Sequence, residues 1–266
     1  MKHILSIQDL SCVGRCSLTV ALPVISAMGH RCSVLPTAVL STHTAFPSPE
    51  VTDLTERLTG FARHWRENGI SFDLVSVGYL ADPRQAEIVA GILEEIGSFV
   101  VLDPVMGDHG KLYRRITPDH IGALTRLAAR ADVLLPNLTE AAALTGLPYR
   151  EQVDELYLKA LTEGLLSLGA KAAVITGVHL SDGAIGFYGG DKAGNTFSYQ
   201  GELIPRQFHG TGDLFAAVLS GSLAAGETLS AAAQKAAEFV QACVKNTAEV
   251  TPFGVEFETQ LHRLWN

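Results

Sequence analysis

Short apolar runs that suit β-strands alternate with helical segments along most of this 266-residue chain. The predicted strands are residues 2–7, 32–35, 74–78, 99–102, 133–135 and 172–176. The predicted helices are residues 18–28, 52–67, 83–96, 118–129, 139–144, 151–168, 213–225 and 230–247, followed by a short terminal helix. Parallel strands need long crossover connections, so the alternation predicts an α/β fold with a mostly parallel central sheet and helices on both faces.

Three other segments complete this expected organisation. Residues 184–188 and 196–200 are expected to form antiparallel strands around the turn Gly189-Gly190-Asp191. Residues 37–49 are polar and aromatic and contain two prolines, which favours a loop or lid. No linker, repeat or low-complexity tract interrupts the pattern, so we predict one domain, residues 1–266.

Composition excludes several classes of partner. Hydrophobic residues make up 47% of the chain and charged residues 18%, which is enough apolar material for a sizeable core. The formal charge is −8 and no run of Lys or Arg occurs, which argues against nucleic acid or an anionic membrane. No apolar stretch approaches the ~20 residues of a membrane span, and the N-terminus lacks a signal pattern. The four cysteines are expected to be reduced thiols, which predicts a cytoplasmic protein.

The segment from His209 to Asp213 reads His-Gly-Thr-Gly-Asp and precedes an apolar, alanine-rich run. A glycine turn that feeds a helix start directs several backbone N–H groups into one space, which suits a phosphate. Asp213 in the first turn would place a carboxylate beside that phosphate, as phosphoryl transfer onto a hydroxyl requires. A turn with an acidic helix cap is the alternative. Neither the Walker A pattern nor the dinucleotide fingerprint fits, because Leu112 follows Gly110-Lys111 and Phe215 replaces a third glycine.

Polar side chains stand where several predicted strands end. They are Asp9, Tyr79, Asp103, Asn137 and Thr176. Ligands of open α/β sheets bind outside the carboxyl ends of the strands, so we expect these residues to line one site.

Two of these strand ends carry acidic motifs. Asp103 and Asp108 flank a Pro- and Gly-containing segment that should be neither helix nor strand, and paired carboxylates beside a phosphate suit Mg²⁺. A turn in which Asp solvates its own backbone is the alternative. Asn137 and Glu140 have the spacing of a helix capping box, which by itself is the simpler interpretation. The functional interpretation places Glu140 near hydrated Mg²⁺ and Asn137 on a phosphate.

Taken together, these motifs resemble the ribokinase-like kinases of vitamins and sugars. The motifs, in family order, are Asp103-Pro104-Val105-Met106-Gly107-Asp108, Pro136-Asn137-Leu138-Thr139-Glu140 and Gly210-Thr211-Gly212-Asp213. The N-terminal half resembles the pyridoxal kinases through Ile7-Gln8 before Gly14, the lid sequence Ser41-Thr42-His43-Thr44 and Val77-Gly78-Tyr79-Leu80. The resemblance covers essentially the whole chain and implies a single ribokinase-like domain.

The resemblance implies a role for each matching phosphate-site residue. Asp213 would deprotonate the primary alcohol of the substrate, and Gly210, Thr211 and Gly212 would form the anion hole for the γ-phosphoryl group. Asp108 and Glu140 would bind Mg²⁺ largely through water. Asn137, Thr176 and Asp103 would serve ATP, the last two also near an activating monovalent cation such as K⁺. The resemblance also implies a homodimer.

The resemblance further implies the contacts of a substrate ring. Thr44 and Tyr79 match ring contacts, and His209 matches a position against the ring. His43 lies in the same lid as Phe46 and is a further candidate for a ring contact. The alternative is that His43 is an ordinary loop histidine. The chain departs from the family at Asp9, where Ser is usual, and at His209, where an apolar residue is common. Both positions belong to the expected vitamer pocket.

Three functions therefore follow from the sequence, in order of preference. The first is an ATP-dependent kinase of pyridoxal, pyridoxine or pyridoxamine. The second is a hydroxymethylpyrimidine kinase of thiamine biosynthesis, which would share the fold and a similar ring. The third is a non-catalytic nucleotide or vitamin sensor, against which the retention of Asp213, Asp108 and Glu140 argues.

Overall fold

One mixed, nine-stranded sheet forms the centre of the computed structural model, which describes residues 1–265. The strands are β1 (His3–Ser11), β2 (Arg31–Leu40), β3 (Val51–Asp53), β4 (Leu74–Val77), β5 (Phe99–Leu102), β6 (Gly107–Asp108), β7 (Lys111–Leu112), β8 (Val133–Leu134), β9 (Ala172–Val178), β10 (Ala184–Asp191) and β11 (Thr196–Glu202). The sheet order is β11-β10-β9-β8-β5-β4-β1-β2-β3, while β6 and β7 form a separate hairpin. Every pairing from β9 to β2 is parallel, and β3, β10 and β11 pair antiparallel at the two edges.

Helices cover both faces of the sheet. They are α1 (Leu18–Ala27), α2 (Thr55–Glu67), α3 (Pro83–Ile96), α4 (Pro118–Ala128), α5 (Leu138–Thr145), α6 (Glu155–Ser167), α7 (Thr211–Ala224) and α8 (Leu229–Asn246), followed by a 3₁₀ helix (Glu258–Leu264). Successive strand residues alternate between the faces, so Ile4 packs with α1, α7 and α8, whereas Leu5 packs with α2 to α6. The predicted α/β class and the helices on both faces are confirmed. Within residues 1–265, none of the helices has both the length and the apolar character that a membrane crossing requires.

The N-terminal third corrects several sequence predictions. Strand β1 continues to Ser11, so Asp9 lies inside the strand rather than just beyond it. Strand β2 continues to Leu40, which takes residues 37–40 out of the predicted lid and leaves 41–49 as the loop. The helix predicted from residue 52 begins at Thr55, because Val51–Asp53 pairs with the end of β2 as an edge strand. These strand extensions depend on neighbouring strands, which local hydrophobicity does not reveal.

Further along the chain, the structure corrects one predicted turn, one segment expected to be irregular and one helix start. Gly189 and Gly190 belong to strand β10, and the turn follows at residues 192–195. A Cβ at Gly189 would collide with the ring of Phe197 on β11, so this glycine serves close cross-strand packing rather than a turn. Gly107–Asp108 forms a short strand that pairs with Lys111–Leu112, although the sequence favoured no regular structure there. The helix predicted from residue 151 begins at Glu155, where Asp154 accepts a hydrogen bond from the Tyr157 N–H.

Candidate active site

The five polar residues predicted to share one sheet edge do share it. Adjacent strands β9, β8, β5, β4 and β1 bring together Thr176, Asn137, Asp103, Tyr79 and Asp9 at or just beyond their carboxyl ends. The Thr176 N–H donates to the Pro136 carbonyl at 2.9 Å, which continues the parallel pairing past the end of β8. The site therefore has a floor made of backbone that is rigidly paired within the sheet.

The glycine-rich loop delivers the start of α7 to this edge. Gly210 is the N-cap in a left-handed conformation, with φ 85°, and a Cβ there would collide with the carbonyl oxygen of Arg15. Gly212 is exposed, and a Cβ there would meet nothing within 4 Å. The first N–H groups of a helix have no partner within it, so those of Thr211, Gly212 and Asp213 are left to other acceptors at the positive end of the helix dipole. This arrangement suits a bound phosphoryl group.

The loop leading to α7 is held by a residue that sequence reasoning missed. The Arg206 guanidinium donates to the carbonyls of Thr247, at 2.6 Å, and Val244, at 2.9 Å, at the C-terminal end of α8. It also lies over the Phe208 ring, 5.7 Å from the centroid. No local pattern could identify this contact, because its partners lie about forty residues downstream. Arg206 thereby fixes the entry to the glycine loop.

Asp213 lies in the first turn of α7 and is partly buried. Burial raises its pKa to about 6, a hydrogen bond with the Ser17 backbone lowers it, and the nearby Asp9 carboxyl raises it. A carboxylate of this kind is ionised at neutral pH yet more basic than an ordinary Asp. These are the properties expected of a general base for a hydroxyl.

Other carboxyl groups surround Asp213. Burial, then Glu140, then Asp213 raise the pKa of Asp103 well above its usual range. The pKa of Glu140 is raised to about 7, chiefly by burial, with Asp108 adding repulsion. The phenol of Tyr113, missed in the sequence, follows the β6–β7 hairpin, and its pKa is also raised by burial and by these carboxyl groups. Several carboxyl groups thus crowd one buried site and disfavour each other's ionised forms, a repulsion that a bound cation would relieve.

The capping box predicted at the start of α5 is present, and it does more than cap the helix. Asn137 Oδ1 accepts from the N–H groups of Thr139 and Glu140, at 2.9 and 3.0 Å. The Glu140 carboxylate accepts from the N–H groups of Asn137 and Met106, each at 2.9 Å. Asn137 Nδ2 donates to the Gly107 carbonyl at 2.8 Å. The two side chains therefore tie the acidic segment after β5 to the start of α5.

Asp108 is exposed on the β6–β7 hairpin. The next residue, His109, has φ 49°, and its Nε2 lies 3.2 Å from Nε2 of Gln207 in the loop before α7. Within residues 1–265, no three His, Cys, Asp or Glu side chains form a metal cage by themselves. Mg²⁺ is commonly held by one or two carboxylates together with phosphates and water, so Asp108 and the cluster around Glu140 fit such a shared site.

Aromatic rings line the other side of the glycine loop. The His43 ring lies edge-on to Phe46 at 5.0 Å and tilted against His209 at 5.1 Å, measured between centroids, and Phe46 lies 5.7 Å from Phe253. His43 is buried, its Nε2 donates to the Pro252 carbonyl at 2.6 Å, and its Nδ1 accepts from the Ala45 N–H at 3.3 Å. Both ring nitrogens of His43 are therefore engaged within the protein, whereas its faces contact other rings.

The remaining candidate ring contacts differ in exposure. Thr44 is exposed on the 41–49 loop, and Tyr79 is partly buried just beyond β4. Burial raises the pKa of Tyr79, with Asp9 adding to the effect, so its phenol stays protonated and can donate a hydrogen bond. Burial lowers the pKa of His209, so its imidazole is neutral at physiological pH. The pocket mouth therefore presents neutral groups.

Asp9 is enclosed rather than open to a ligand. Only 4% of the residue is exposed, and its two carboxylate oxygens accept hydrogen bonds from the Ser17 and Ser11 hydroxyls at 2.5 and 2.9 Å. Sequence reasoning placed Asp9 in the vitamer pocket as a substrate-binding candidate and did not recognise either serine as its partner. Only Ser11 had a sequence signal, because residues two apart in a strand, such as Asp9 and Ser11, lie on the same face of the sheet.

Comparisons with known proteins agree with this geometry. A family model for phosphomethylpyrimidine kinases matches residues 24–255. The pyridoxine/pyridoxal/pyridoxamine kinase of Bordetella pertussis is 30% identical over 262 residues, covering 92% of this chain and 89% of the relative. A hydroxymethylpyrimidine/phosphomethylpyrimidine kinase of Haemophilus influenzae is 31% identical over 205 residues, covering 69% of both chains.

Solved structures match over nearly the full length. A Bacteroides thetaiotaomicron structure, assigned to the phosphomethylpyrimidine kinases and crystallised with pyridoxal, has a TM-score of 0.94 and 33% identity, covering 99% of this chain and 95% of that one. The pyridoxal kinase of Leishmania donovani, in complex with ADP and pyridoxamine, has a TM-score of 0.90 and 25% identity, covering 99% and 96%.

The sheet topology is that of a kinase with the ribokinase-like fold, as the sequence resemblance implied. Within that class, the family model matches residues 24–255, and the Bordetella pertussis relative, which covers 92% of this chain, is named as a kinase of vitamin B6 compounds. The chain belongs to the phosphomethylpyrimidine kinase family.

Proposed function

We propose that this protein transfers the γ-phosphoryl group of ATP to the 5′-hydroxymethyl group of pyridoxal, pyridoxine or pyridoxamine. The observation that supports this proposal most directly is the partly buried Asp213 carboxylate beside the glycine turn at the start of α7. The relatives support the substrate class, since full-length matches include a pyridoxine/pyridoxal/pyridoxamine kinase and a structure with bound pyridoxal. ATP as the donor is supported by the ADP complex of the Leishmania donovani enzyme.

In the proposed mechanism, Asp213 accepts the proton of the substrate alcohol as its oxygen attacks the γ-phosphorus. The N–H groups at Gly210, Thr211 and Gly212 receive the negative charge of the transferring phosphoryl oxygens, and the dipole of α7 adds to this stabilisation. The bond from the γ-phosphorus to the bridging oxygen breaks, and ADP leaves. Asp213 then returns the proton to solvent. Positioning and charge stabilisation account for most of such a catalytic effect.

The substrate ring would lie between the aromatic cluster and Tyr79. His209 and Phe46 offer ring faces, while Thr44 and Tyr79 offer hydroxyl groups at the rim. Because both nitrogens of His43 are engaged within the protein, we assign it a packing contact rather than a hydrogen bond to the substrate. The loop 41–49 remains a predicted lid, and its closure would exclude water from the phosphoryl group.

Nucleotide and cations belong to the opposite half of the site in this proposal. Asn137 and Thr176 would contact the ATP phosphates, with Asp103 and Thr176 near a monovalent cation such as K⁺. Asp108 and Glu140 would hold Mg²⁺ largely through water, and the ion would supply charge neutralisation for the triphosphate. Homodimerisation, which the sequence resemblance implies, and a cytoplasmic location, which the reduced cysteines predict, remain predictions.

Glu140→Gln tests whether this carboxylate serves a cation or only the fold. The carboxylate now accepts hydrogen bonds from backbone N–H groups, and the amide nitrogen of Gln would leave one of these donors without an acceptor. We therefore expect a loss of about 1–3 kcal/mol of stability. We also expect the Mg²⁺ concentration for half-maximal activity to rise several-fold, while the vitamer KM changes little. Thermal denaturation and a Mg²⁺ titration of the rate measure the two effects. A change in stability alone would leave Glu140 as a helix cap.

A hydroxymethylpyrimidine kinase is the second candidate, because the Haemophilus influenzae relative carries that activity in its name and the matched family model describes phosphomethylpyrimidine kinases. The purified protein should be incubated with ATP, Mg²⁺ and equal concentrations of the three vitamers and hydroxymethylpyrimidine. Mass spectrometry should detect vitamer phosphates first. Exclusive phosphorylation of the pyrimidine would establish the second candidate. Ligand binding without any phosphorylated product would indicate a sensor.

A further inference from the structure

A short segment near the C-terminus, residues 251–255, is fastened to the predicted lid. Its Pro252 carbonyl accepts a hydrogen bond from His43 Nε2 at 2.6 Å. Its Phe253 ring lies 5.7 Å from the ring of Phe46, measured between centroids. One polar and one aromatic contact therefore join this segment to the loop that carries the candidate ring contacts.

The same segment is fastened to the glycine turn on its other side. The Val255 N–H donates to the carbonyl of His209, directly before Gly210, at 3.1 Å. Gly254 is left-handed, with φ 88°, and a Cβ there would lie 2.9 Å from the His209 oxygen and 3.1 Å from the Arg15 oxygen. Glycine adopts this conformation without steric cost, and here its missing side chain also allows the two backbones to touch.

The Arg15 carbonyl lies between two left-handed glycines. One is Gly254, and the other is Gly210, with φ 85°, where a Cβ would collide with the same oxygen. Arg15 is held at both ends, because its N–H donates to the Phe253 carbonyl at 2.9 Å and its Nε donates to Glu258 at 2.7 Å. Backbone packed this closely passes a displacement on to its neighbours, since protein interiors are hardly compressible.

A third left-handed glycine receives the ring of His43. Gly14 has φ 104°, and a Cβ there would collide with Cδ2 of that ring. The ring is not free to move aside, because both of its nitrogens are hydrogen-bonded within the protein. The predicted lid, the loop before α1, the glycine turn and the segment 251–255 thus meet without side chains between their backbones. This contact region, formed by Gly14, Gly210 and Gly254, is the glycine junction.

We propose that Gly14 and Gly254 are positioning residues: through the glycine junction they fix the predicted lid relative to the glycine turn, so that vitamer and nucleotide strengthen each other's binding. The inference rests on the proposed function, in which the vitamer lies against the lid and the γ-phosphoryl group against the turn. A ligand that orders one side of the junction lowers the entropy cost of ordering the other side. By linkage, each ligand must change the affinity of the other by the same factor.

Three alanine substitutions separate this role from backbone strain alone. Gly14→Ala and Gly254→Ala each place a methyl group in the junction, the first against the lid and the second against the turn. Gly226→Ala is the matched control, because Gly226 is also left-handed, with φ 94°, but a Cβ there meets no atom of the described residues within 4 Å. It follows the far end of α7, roughly 20 Å from the turn. The strain of alanine at positive φ is common to all three variants.

The experiment measures the dissociation constant of pyridoxal by calorimetric titration, with and without saturating Mg²⁺ and AMP-PNP, a non-hydrolysable ATP analogue. In the wild type, the nucleotide should tighten pyridoxal binding roughly fivefold or more, and pyridoxal should tighten nucleotide binding by the same factor. The factor should fall below about twofold in Gly14→Ala and Gly254→Ala and stay unchanged in Gly226→Ala. Thermal denaturation should show a loss of stability in all three variants.

A milder variant keeps the test decisive if the junction variants do not fold. Phe253→Leu retains every backbone hydrogen bond of the segment 251–255 and removes only the ring contact with Phe46, so it should at least halve the factor. A wild-type factor near one would overturn the inference. So would a factor that the folded junction variants and Phe253→Leu leave unchanged, or one that Gly226→Ala lowers equally.

Mass spectrometry of the wild-type reaction tests the proposed function separately. Vitamer phosphate without coupled binding would overturn the inference and leave the proposed function intact. Coupled binding without vitamer phosphate would overturn the proposed function alone. A protein that binds neither pyridoxal nor the nucleotide would overturn both.

Discussion

Replacing Asp213 with asparagine is expected to lower kcat by roughly 10²–10⁴-fold, the usual contribution of a general base. The amide has the same size, so the first turn of α7 and the glycine loop should keep their geometry. ATP affinity should therefore change little. Steady-state kinetics with pyridoxal and a nucleotide-binding titration measure the two quantities. A variant that retained more than about half of the wild-type kcat would exclude Asp213 as the base.

The same substitution is expected to stabilise the fold at neutral and alkaline pH. The folded-state pKa of Asp213 is raised from 3.8 to about 6, so ionising this group costs folding free energy. Below pH 3.8 the carboxyl group is protonated in both the folded and the unfolded state, so it does not destabilise the fold. As pH rises through about 6, the group also ionises in the folded state, and the full cost in folding free energy is then present. Asn mimics the protonated form, so the variant should gain about 1–3 kcal/mol at pH 8 and almost nothing at pH 4. Denaturant unfolding at both pH values measures this, and a destabilised variant at pH 8 would contradict it.

Wild-type activity should depend on the same ionisation. The acidic limb of kcat/KM is expected to have an apparent pKa near 6, because kcat/KM reports the free enzyme. The limb should be absent from the residual activity of Asp213→Asn. A wild-type limb near the ordinary Asp value would mean that a different or more exposed group is the base.

Gly212→Ala is expected to remove activity while leaving the fold intact. The added methyl group would meet no protein atom within 4 Å, so it would occupy the space in front of the helix N-terminus. We propose that the transferring phosphoryl group lies there, and a displacement of about 1 Å costs roughly 10²-fold in rate. Alanine is also the better helix former, so thermal stability should be unchanged or slightly higher. Kinetics and thermal denaturation of one preparation give both results.

Gly210→Ala provides the matched comparison two residues earlier. Here φ is 85° and the Cβ would collide with the Arg15 carbonyl, so the loop before α1 must move. We expect a loss of about 1–3 kcal/mol of stability together with the loss of activity. Gly210 would thus serve the fold and the site, whereas Gly212 would serve the site alone. Full activity of Gly212→Ala would show that the phosphoryl group does not occupy this space.

The sequence was most informative where function depends on local backbone. The apolar run after Asp213 predicted a buried helix, and α7 is buried from Leu214 to Ser222. The spacing of Asn137 and Glu140 predicted a capping box, which is present. Both features depend on residues within one helical turn of each other, so neighbouring residues suffice to specify them.

Sequence reasoning was least informative about what each acidic side chain contacts. Glu140 was expected either to cap a helix or to serve a cation, but it also accepts from the Met106 N–H in a distant loop. Asp9 was expected to face the substrate ring, yet it binds Ser11 and Ser17. The edge strand β3 was absorbed into a predicted helix, because its pairing with β2 has no signal in its own three residues.

Taken by itself, the sequence determined the α/β class, the order of most elements, the glycine turn before α7 and the strand ends that carry the candidate site residues. These follow from hydrophobic period and turn chemistry, which act over a few residues. Only the tertiary structure decided that Asp9 and Ser17 meet, and that Arg15 lies against Gly210. Such contacts join separate elements, and their formation depends on how the helices and strands pack rather than on any local pattern. The basicity of Asp213 is a property of that packing, since burial is its largest cause.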